Sequence, residues 1–396
     1  MAAKVLRSPF KEAEVLVVGA SLAGLCAAYS AARVGATTLL VDAAPEIGAR
    51  PNPATLLMEP IWRCTGLSVP PGAVERELSG LQMGGPSARG PLFGFRVLHL
   101  DRRAFDLGFA RMAVGAGAEV RSGVRVEAAL PSGGVRTGDG PVRAAVTVFA
   151  DGAGSCVREV MPTMRDPWEA AWGLAQLLQA PGLGTASCCE VRFGSFAPGW
   201  RAQLNPLGGD RAGLWTFTRG VLPEKLGGYA ERARRSFPGA EEATILEERR
   251  GVDPAFVRPG RIAEDGVMAC GAAAGQGGLE YGARAGLLAG EVAARAVRVG
   301  DTSRRTLKTY EKTWRRETVA ASRVFRWGMA ALRHLSDAEL DGLFGDLSGV
   351  EFGEEDLLAL MRGDPRRALQ RVGARRSVRA FSGTVRGRIR AVRRKR

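Results

Sequence analysis

The feature that most constrains the fold is a short glycine-containing turn near the start of the chain. Residues 14–18 (EVLVV) predict a buried strand, residues 19–24 (GASLAG) a tight turn, and residues 25–34 a helix built from small side chains. A second apolar run, residues 37–41, follows and ends at Asp42. This order predicts a βαβ unit that opens a parallel sheet.

The spacing inside the turn favours a dinucleotide ligand. Gly19 permits a tight turn, the small Ser21 lets the backbone approach a pyrophosphate, and Gly24 lets the helix pack closely on the strand. The helix N-terminus stabilises anionic phosphates, and Asp42 can accept a hydrogen bond from a ribose hydroxyl. Ser21 stands where a second glycine is usual, so a turn that serves packing alone is the alternative.

The remaining pattern predicts both sheet and helix. Residues 46–95 are rich in Pro and Gly, which predicts loops with short elements, and residues 170–218 alternate in the way that is typical of an antiparallel sheet. Further strands are predicted over 119–126, 142–150 and 266–270, and helices over 105–115, 228–237, 282–297 and 304–345.

The net charge of +15 is concentrated at the C-terminus. Residues 362–396 contain 14 Lys or Arg and one acidic residue, so they carry +13 and residues 1–361 carry only +2. Their apolar residues follow helical spacing and arginines fill the opposite face, which is typical of a helix on an anionic membrane surface. We predict disorder in solution and helix on the membrane. A solvated basic tail, or non-specific contact with RNA, is the alternative.

Cysteine and histidine usage disfavours a metal site. The chain has two histidines, and its six cysteines show no CxxC spacing. A chain of this length with few cysteines points to a reducing cytosol. Cys64 follows the second strand, and a buried, small apolar role is favoured there over a redox role.

Three further segments of the chain contain motifs. Residues 100–106 (LDRRAFD) fit an R-x-x-F-D helix start, residues 150–158 (ADGAGSCVR) fit an A-D-G-x-x-S-x-V-R segment, and residues 267–294 contain a Gly/Ala-rich turn followed by a helix. Together with the glycine turn, they resemble the motifs of FAD-dependent enzymes of the aromatic-hydroxylase superfamily, in which the third segment is the last FAD motif. Within the superfamily the chain most resembles the geranylgeranyl reductase family. The residues that carry this closer resemblance are FAPG at 196–199, Pro206 and LSDAEL at 335–340.

The resemblance implies an α/β fold with four parts. Residues 1–165 and 255–300 would form a Rossmann-type FAD-binding domain with a parallel sheet, and residues 166–254 an inserted antiparallel-sheet substrate domain. Residues 301–361 would form a helical C-terminal region, followed by the basic amphipathic tail of residues 362–396.

It also implies the residues that contact FAD: Gly19, Ala20, Ser21, Gly24, Asp42, Arg102, Asp151, Gly271, Ala272 and Gly282. The glycine turn would lie at the pyrophosphate, Asp42 at the adenosine ribose and Arg102 at the cofactor edge. Gly271 and Gly282 would let the backbone approach the ribityl chain and the flavin ring. The alternatives are a surface arginine at 102, a strand end at 151, and glycines at 271 and 282 that serve packing.

The sequence departs from the family at two places, the last FAD motif and the aromatic box of the substrate site. Ala272 stands where the family has Asp, and the loss of that hydrogen bond weakens FAD binding by about 1–3 kcal/mol. The proline expected before Gly282 is absent. The family's aromatic box reads RAQLNP over 201–206, where Pro206 survives and Gln203 and Asn205 make the substrate wall more polar. Trp200 either replaces the lost ring or belongs to the core.

The resemblance implies reduction of carbon–carbon double bonds in a geranylgeranyl-type prenyl lipid by a cytoplasmic, peripherally membrane-bound flavoenzyme. NAD(P)H or a protein electron donor would be the reductant, and no specific nucleic acid partner is expected. One alternative is a FAD-dependent monooxygenase, which Gln203 and Asn205 favour. The other is a non-catalytic member with weakened FAD binding, which Ala272 favours. No lysine lies between Lys11 and Lys225, which disfavours a halogenase. No catalytic acid or base is assigned.

Overall fold

A computed structural model describes residues 13–49, 55–162, 171–253 and 260–373. In chain order its strands and helices are β1 Ala13–Val18, α1 Leu22–Arg33, β2 Thr38–Val41, β3 Leu56–Met58, α2 Glu59–Arg63, β4 Val74–Gly84, β5 Arg89–Leu100, α3 Arg102–Gly115, β6 Glu119–Arg121, β7 Val126–Ala129, β8 Val135–Thr137, β9 Gly140–Val142, β10 Ala144–Phe149, β11 Ala171–Gln179, β12 Cys189–Arg192, β13 Ala202–Gly208, β14 Arg211–Thr218, α4 Leu226–Arg235, β15 Thr244–Asp253, β16 Ala263–Glu264, β17 Val267–Ala269, α5 Leu279–Arg298, α6 Arg304–Leu332, α7 Asp337–Asp346, β18 Glu351–Phe352, α8 Glu354–Met361 and α9 Arg366–Val372.

The first sheet contains the predicted βαβ unit. Its strand order is β16-β17-β10-β1-β2-β6, and every neighbouring pair is parallel except β16 with β17. Val17 at its centre lies opposite Val148 of β10 and Leu40 of β2, and all three are fully buried. Continuous apolar strands of this kind are expected where both faces of a parallel sheet are covered. The prediction of a parallel sheet is confirmed.

Helices α1 and α5 pack against each other through glycines. A Cβ atom built on Gly286 would lie 2.0 Å from the carbonyl oxygen of Ala23, and one on Gly290 would lie 2.1 Å from that of Ala27. The two contacts are spaced four residues apart on both helices, so they repeat along one face. The helix backbones therefore approach more closely than any larger side chain would allow.

The second sheet is larger and mainly antiparallel. Its order is β15-β11-β14-β13-β12-β4-β5-β18, with β3 also paired to β5, and the pairs β12–β4 and β18–β5 are parallel. The prediction of loops over residues 46–95 is wrong, because β4 and β5 are two long strands of this sheet. Their pairing shifts register near Gly80 and Gly84. These irregularities break the alternation that would have revealed the strands.

The second sheet lies between two groups of helices. On one face, Phe237 and the α4 residue Ala233 pack on Leu204 and Leu214. On the other face, Phe193 stacks on Phe344 of α7 with ring centroids 5.6 Å apart. The predicted C-terminal helical region therefore supplies part of the cover for this sheet.

The last described helix is held to α8 by charge. Asp356 of α8 is buried and lies 3.5 Å from Arg367 and 3.2 Å from Arg371 of α9. Leu369 on the same helix is 53% exposed. The prediction of disorder in solution is therefore wrong for residues 366–372, because this segment forms α9 and its arginines pair with Asp356. The rest of the predicted amphipathic tail, from position 374 onward, lies outside the described residues. Within the part of the chain that is described, no helix is both long enough and apolar enough to cross a membrane.

Candidate active site

Four of the predicted cofactor residues lie at one edge of the first sheet. Gly19 follows β1, Asp42 follows β2, Asp151 lies two residues after the end of β10, and Gly271 lies two residues after the end of β17. These strands are parallel, so their carboxyl ends meet at the same edge, which is where α/β sheets bind ligands. We call this region the carboxyl edge.

The glycine turn is fixed to β10 by close contacts. Gly19 has a φ of +96°, and a Cβ atom there would lie 2.7 Å from the carbonyl oxygen of Ala150. Ser21 caps α1: its hydroxyl donates to the Ala150 carbonyl at 2.8 Å and accepts from the Gly24 amide at 3.3 Å. The first-turn amides of α1 have no partners within the helix, so they can bind an anion.

Two backbone amides orient the carboxylate of Asp42, one from the glycine turn and one from the loop after β2. One carboxylate oxygen accepts from the amide of Ala20 at 2.7 Å and the other from the amide of Ala44 at 2.7 Å. Each carboxylate oxygen can accept a second hydrogen bond. Asp42 can therefore hold the glycine turn and also accept from a ligand hydroxyl.

Asp151 follows β10 at the carboxyl edge. Asp151 is exposed to solvent on one side. Desolvation by the surrounding protein nevertheless raises the pKa of Asp151, and a hydrogen bond from the Ser155 side chain opposes that rise. A Cβ atom built on Gly152 or Gly154 would meet nothing within 4 Å. Open space therefore adjoins Asp151 at the carboxyl edge.

Arg102 is buried at the start of α3 and forms an ion pair with Asp106. Its Nη2 lies 3.0 Å from one oxygen of Asp106 and 3.2 Å from the other. Burial raises the pKa of Asp106, and the Arg102 charge opposes that rise. The alternative of a surface arginine at position 102 is therefore wrong.

Gln276, which sequence reasoning missed, organises the turn after β17. This turn is a 3₁₀ helix over Gly271–Ala274, with Ala272 half-buried. The Oε1 of Gln276 accepts from the Gly271 amide at 2.9 Å and from the Tyr310 hydroxyl at 3.0 Å. Its Nε2 is buried and has no hydrogen-bond partner among the residues that the structure describes. The amide group of Gln276 can therefore donate a hydrogen bond to a ligand at the carboxyl edge.

Gly282 differs from the other glycines of the predicted set because there is space for a side chain at its position. It lies in the first turns of α5, and a Cβ atom there would make ordinary contact with Ala23 at 3.9 Å. Packing against α1 therefore does not require glycine at 282, whereas it does at Gly286 and Gly290.

The predicted substrate residues divide between the two faces of β13. Gln203 and Asn205 are both buried on the face toward α6 and α7, and the Gln203 amide donates to Asn205 at 2.9 Å. Pro206 pairs with Ala212 on the opposite face, toward α4. Trp200 is 3% exposed and packs on Phe325 with ring centroids 5.8 Å apart, so it belongs to a core cluster.

The similarity to known proteins covers most of the chain. The profile of the FAD-dependent oxidoreductase family matches residues 14–50. Digeranylgeranylglycerophospholipid reductase 1 of Methanothermobacter thermautotrophicus is 30% identical over 386 residues, covering 89% of this chain and 94% of the relative. The chain belongs to the geranylgeranyl reductase family. A digeranylgeranylglycerophospholipid reductase of Methanosarcina mazei is also 30% identical, over 88% of this chain and 92% of the relative.

Solved structures support the same family fold. A geranylgeranyl bacteriochlorophyll reductase-like protein from Thermoplasma acidophilum superposes with a TM-score of 0.79 at 21% identity, covering 92% of this chain and 100% of that one. A flavin-dependent brominase superposes with a TM-score of 0.67 at 16% identity, over 98% of this chain and 100% of the other. As a member of the geranylgeranyl reductase family, this protein is a flavin-dependent oxidoreductase with FAD as its cofactor.

The carboxyl edge fits FAD in its donors and acceptors. The first turn of α1 offers amides for a pyrophosphate, Asp42 offers acceptor capacity for a hydroxyl, and the buried Nε2 of Gln276 is a donor without a partner in the described chain. The methyl side chain of Ala272 adds neither a donor nor an acceptor to this set.

The structure adds one buried side chain to the site and corrects the prediction for Cys64. Glu280 is buried at the start of α5, where its Oε1 accepts from the Met58 amide at 2.6 Å, and burial raises the pKa of Glu280 to about 7. The sequence could not reveal this contact, because Met58 lies 222 positions from Glu280 in the chain. Cys64 is exposed, with its thiol 3.5 Å from the Pro60 carbonyl, so the prediction of a buried role is wrong.

Proposed function

We propose that this chain reduces carbon–carbon double bonds in the prenyl chains of a geranylgeranyl-type lipid. The observation that carries the proposal is its similarity to digeranylgeranylglycerophospholipid reductases, at 30% identity over 89% of the chain. Bound FAD in its reduced form supplies the hydride for such a reaction. The protein's task is to bind and orient the lipid, to exclude water and to deliver a proton.

We further propose how the carboxyl edge holds the cofactor. Gly19, Ala20, Ser21 and Gly24 place the amides of α1 at the pyrophosphate, and Asp42 accepts from the adenosine ribose. On the flavin side we assign Arg102, Asp151, Gly271, Ala272 and Gly282. The ion pair between Arg102 and Asp106 fixes the arginine in place, and the hydrogen bond from Gly271 to Gln276 fixes the turn.

The lipid would lie against the second sheet. We assign Gln203 and Asn205 to the polar part of its site, because they share the face that is directed toward the C-terminal helices. Trp200 would support this face from the adjoining core, and Pro206 would hold the strand from the other side. The paired amides of Gln203 and Asn205 suit a polar headgroup better than a bare hydrocarbon chain.

The basic tail would bring the enzyme to its lipid. Residues 362–396 carry +13, and basic residues near an anionic surface contribute about 1 kcal/mol each. We therefore propose a cytoplasmic protein attached peripherally to the membrane. Flotation with anionic liposomes tests this: the full chain should float, and a chain ending at Met361 should not. Equal flotation of the two would contradict the role of the tail.

The decisive experiment follows the lipid itself. The purified protein should show a flavin absorption spectrum and, with a chemical reductant, should add two hydrogen atoms per double bond to a geranylgeranyl lipid, as seen by mass spectrometry. Comparing NADPH, NADH and reduced ferredoxin as donors identifies the reductant. A protein that binds FAD but leaves the lipid mass unchanged with every donor would contradict the proposal.

The buried pair of Gln203 and Asn205 favours a second candidate, a FAD-dependent hydroxylase of a more polar substrate. Oxygen separates the two functions. A hydroxylase consumes NAD(P)H and oxygen together and adds an oxygen atom to its substrate, whereas a prenyl reductase transfers hydride to the lipid under anaerobic conditions. Substrate-dependent NAD(P)H oxidation that stops without oxygen would favour the hydroxylase.

A further inference from the structure

Glu280 is a buried carboxyl group that the proposed FAD contacts do not use. It is the second residue of α5, just beyond the 3₁₀ turn at the carboxyl edge, and it is 5% exposed. Its Oε1 accepts from the amide of Met58 at 2.6 Å. Met58 ends β3, which pairs with β5 of the second sheet. Glu280 therefore connects the carboxyl edge of the first sheet to the second sheet.

The second sheet is apolar where Glu280 meets it. Met58 belongs to a hydrophobic cluster with Leu81, Phe93, Val97 and Cys189. Leu81 pairs with Cys189 on one side and with Phe93 on the other, so the cluster continues across neighbouring strands. Leu357 of α8 packs on the same cluster, so these side chains belong to the core between the second sheet and α8.

The oxygen of Glu280 that a substrate can reach is Oε2, which lies beside Gly278 at the carboxyl edge. A Cβ atom built on Gly278 would meet nothing closer than the Tyr281 ring at 3.8 Å and this oxygen at 3.9 Å, which leaves room there for a hydrocarbon chain.

No positive charge neutralises Glu280 in the described part of the chain. On the surrounding elements, the charged and titratable groups have partners of their own: Arg63 of α2 pairs with Glu354 and lies 3.9 Å from Glu59, Arg284 of α5 pairs with Glu317, and His99 of β5 lies 2.9 Å from Glu75. Tyr281 stays neutral, because burial raises its pKa to about 12.

The protonation state of Glu280 follows from these surroundings. Burial raises the pKa of Glu280 from 4.5 to about 7, although hydrogen bonds from the backbone oppose the rise. A carboxyl with such a pKa is protonated in a large fraction of molecules near neutral pH, which suits a general acid. A carboxyl that served only to hold the Met58 amide would bind it at least as well when ionised.

We propose that the Glu280 carboxyl is the acid that protonates the lipid during double-bond reduction. This inference rests on the proposed function. One alkene carbon accepts the hydride from reduced FAD, and the electron pair of the broken π bond forms a C–H bond at the other carbon with the proton of Glu280. The carboxylate then regains a proton from water. The two electrons lost from the cofactor are restored by a nicotinamide or a reduced iron–sulfur protein.

The test compares Glu280→Gln with the wild-type protein. Glutamine keeps an oxygen for the Met58 amide but has no acidic proton. We expect E280Q to bind FAD and to be reduced anaerobically like the wild type. In a single turnover, oxidation of its reduced flavin by a geranylgeranyl lipid should be about 10²- to 10⁴-fold slower, whereas oxidation by oxygen should be unchanged. E280D, which keeps the carboxyl, should recover part of the lipid-dependent rate.

Glu311→Gln is the matched control. Glu311 is also a buried carboxylate, and its Oε1 accepts from the Ile262 amide at 2.8 Å and from the Ala263 amide at 3.1 Å, away from the carboxyl edge. We expect E311Q to change the stability of the protein but to leave the lipid-dependent oxidation rate of the reduced flavin at the wild-type value.

A second readout does not depend on FAD. The folded protein holds the Glu280 proton more tightly than the unfolded chain, so its contribution to stability is full below about pH 4.5 and is lost as the pH rises through about 7. In the FAD-free protein, chemical unfolding across this range should show that loss in the wild type and in E311Q. E280Q should lack it.

The outcomes separate the inference from the proposed function. If the wild-type protein binds FAD but does not reduce the lipid, the proposed function is wrong and the inference fails with it. If the wild type reduces the lipid and E280Q does so at the same rate, the proton-donor role is overturned and the proposed function stands. Wild-type pH dependence in the unfolding of E280Q overturns it as well.

Discussion

The carboxylate of Asp42 accepts a hydrogen bond from the amide of Ala20 at 2.7 Å and thereby joins the end of β2 to the glycine turn after β1. Its second oxygen accepts from the Ala44 amide. One side chain thus sets the position of the turn and keeps acceptor capacity for the cofactor.

Asp42→Asn should weaken both roles. Asparagine replaces one of the two carboxylate oxygens with an NH2 group, so either the Ala20 amide or the Ala44 amide loses its acceptor and faces another donor. We expect the free energy of unfolding to fall by about 1–3 kcal/mol, and the dissociation constant for FAD to rise about tenfold or more. Urea unfolding of the FAD-free protein and quenching of flavin fluorescence measure the two effects.

Glu14→Gln is the control for that substitution. Glu14 accepts from the Thr37 amide at 2.7 Å near the start of β1, at the opposite end from the carboxyl edge. We expect E14Q to leave the FAD affinity unchanged. An equal loss of FAD affinity in E14Q and D42N would show that Asp42 acts on FAD through stability alone.

Ala272→Asp should tighten FAD binding. Position 272 is half-buried at the carboxyl edge, and an added carboxylate there would supply an acceptor for a hydroxyl of the cofactor. One such hydrogen bond contributes about 1.4 kcal/mol, or about a tenfold lower dissociation constant. Ala272→Asn has nearly the same size without the charge and should give a smaller gain. Unchanged or weaker binding in A272D would contradict this account of the departure.

Gln276→Leu should destabilise the protein more than Tyr310→Phe does. Leucine leaves two buried donors, the Gly271 amide and the Tyr310 hydroxyl, without their acceptor. We expect a loss of about 2–4 kcal/mol for Q276L and about 1 kcal/mol for Y310F, because the latter keeps the bond to Gly271. Chemical denaturation measures both values. Similar losses in the two variants would mean that the bond to Gly271 adds little.

Gly286→Ala should separate α1 from α5. The new methyl group would lie 2.0 Å from the Ala23 carbonyl oxygen, and overpacking of this kind costs about 1–3 kcal/mol. That loss exceeds the gain in helix propensity, which is about 1 kcal/mol. Gly328→Ala in α6 is the control, since a Cβ atom there meets nothing within 4 Å and only the gain applies. Thermal unfolding should place G286A below the wild type and G328A above it.

The parts of the fold that could be predicted from the sequence are those in which apolar residues follow a regular helix or strand period. Strands β1 and β2 and helix α1 appear in the apolar periodicity of residues 14–41, and the glycine turn between them marks the ligand-binding edge. The long strands β4 and β5 could not be predicted, because their register shifts and glycines interrupt the period on which a strand prediction depends.

The sequence by itself determined the βαβ start, the family resemblance and the concentration of positive charge in the tail. Only the tertiary structure decided that Arg102 is buried against Asp106, that Gln276 holds Gly271, and that Glu280 reaches the amide of Met58, 222 positions away in the chain. The physical reason is that burial and the pKa of a carboxyl depend on which distant segments surround it. Local sequence periodicity contains no information about those neighbours.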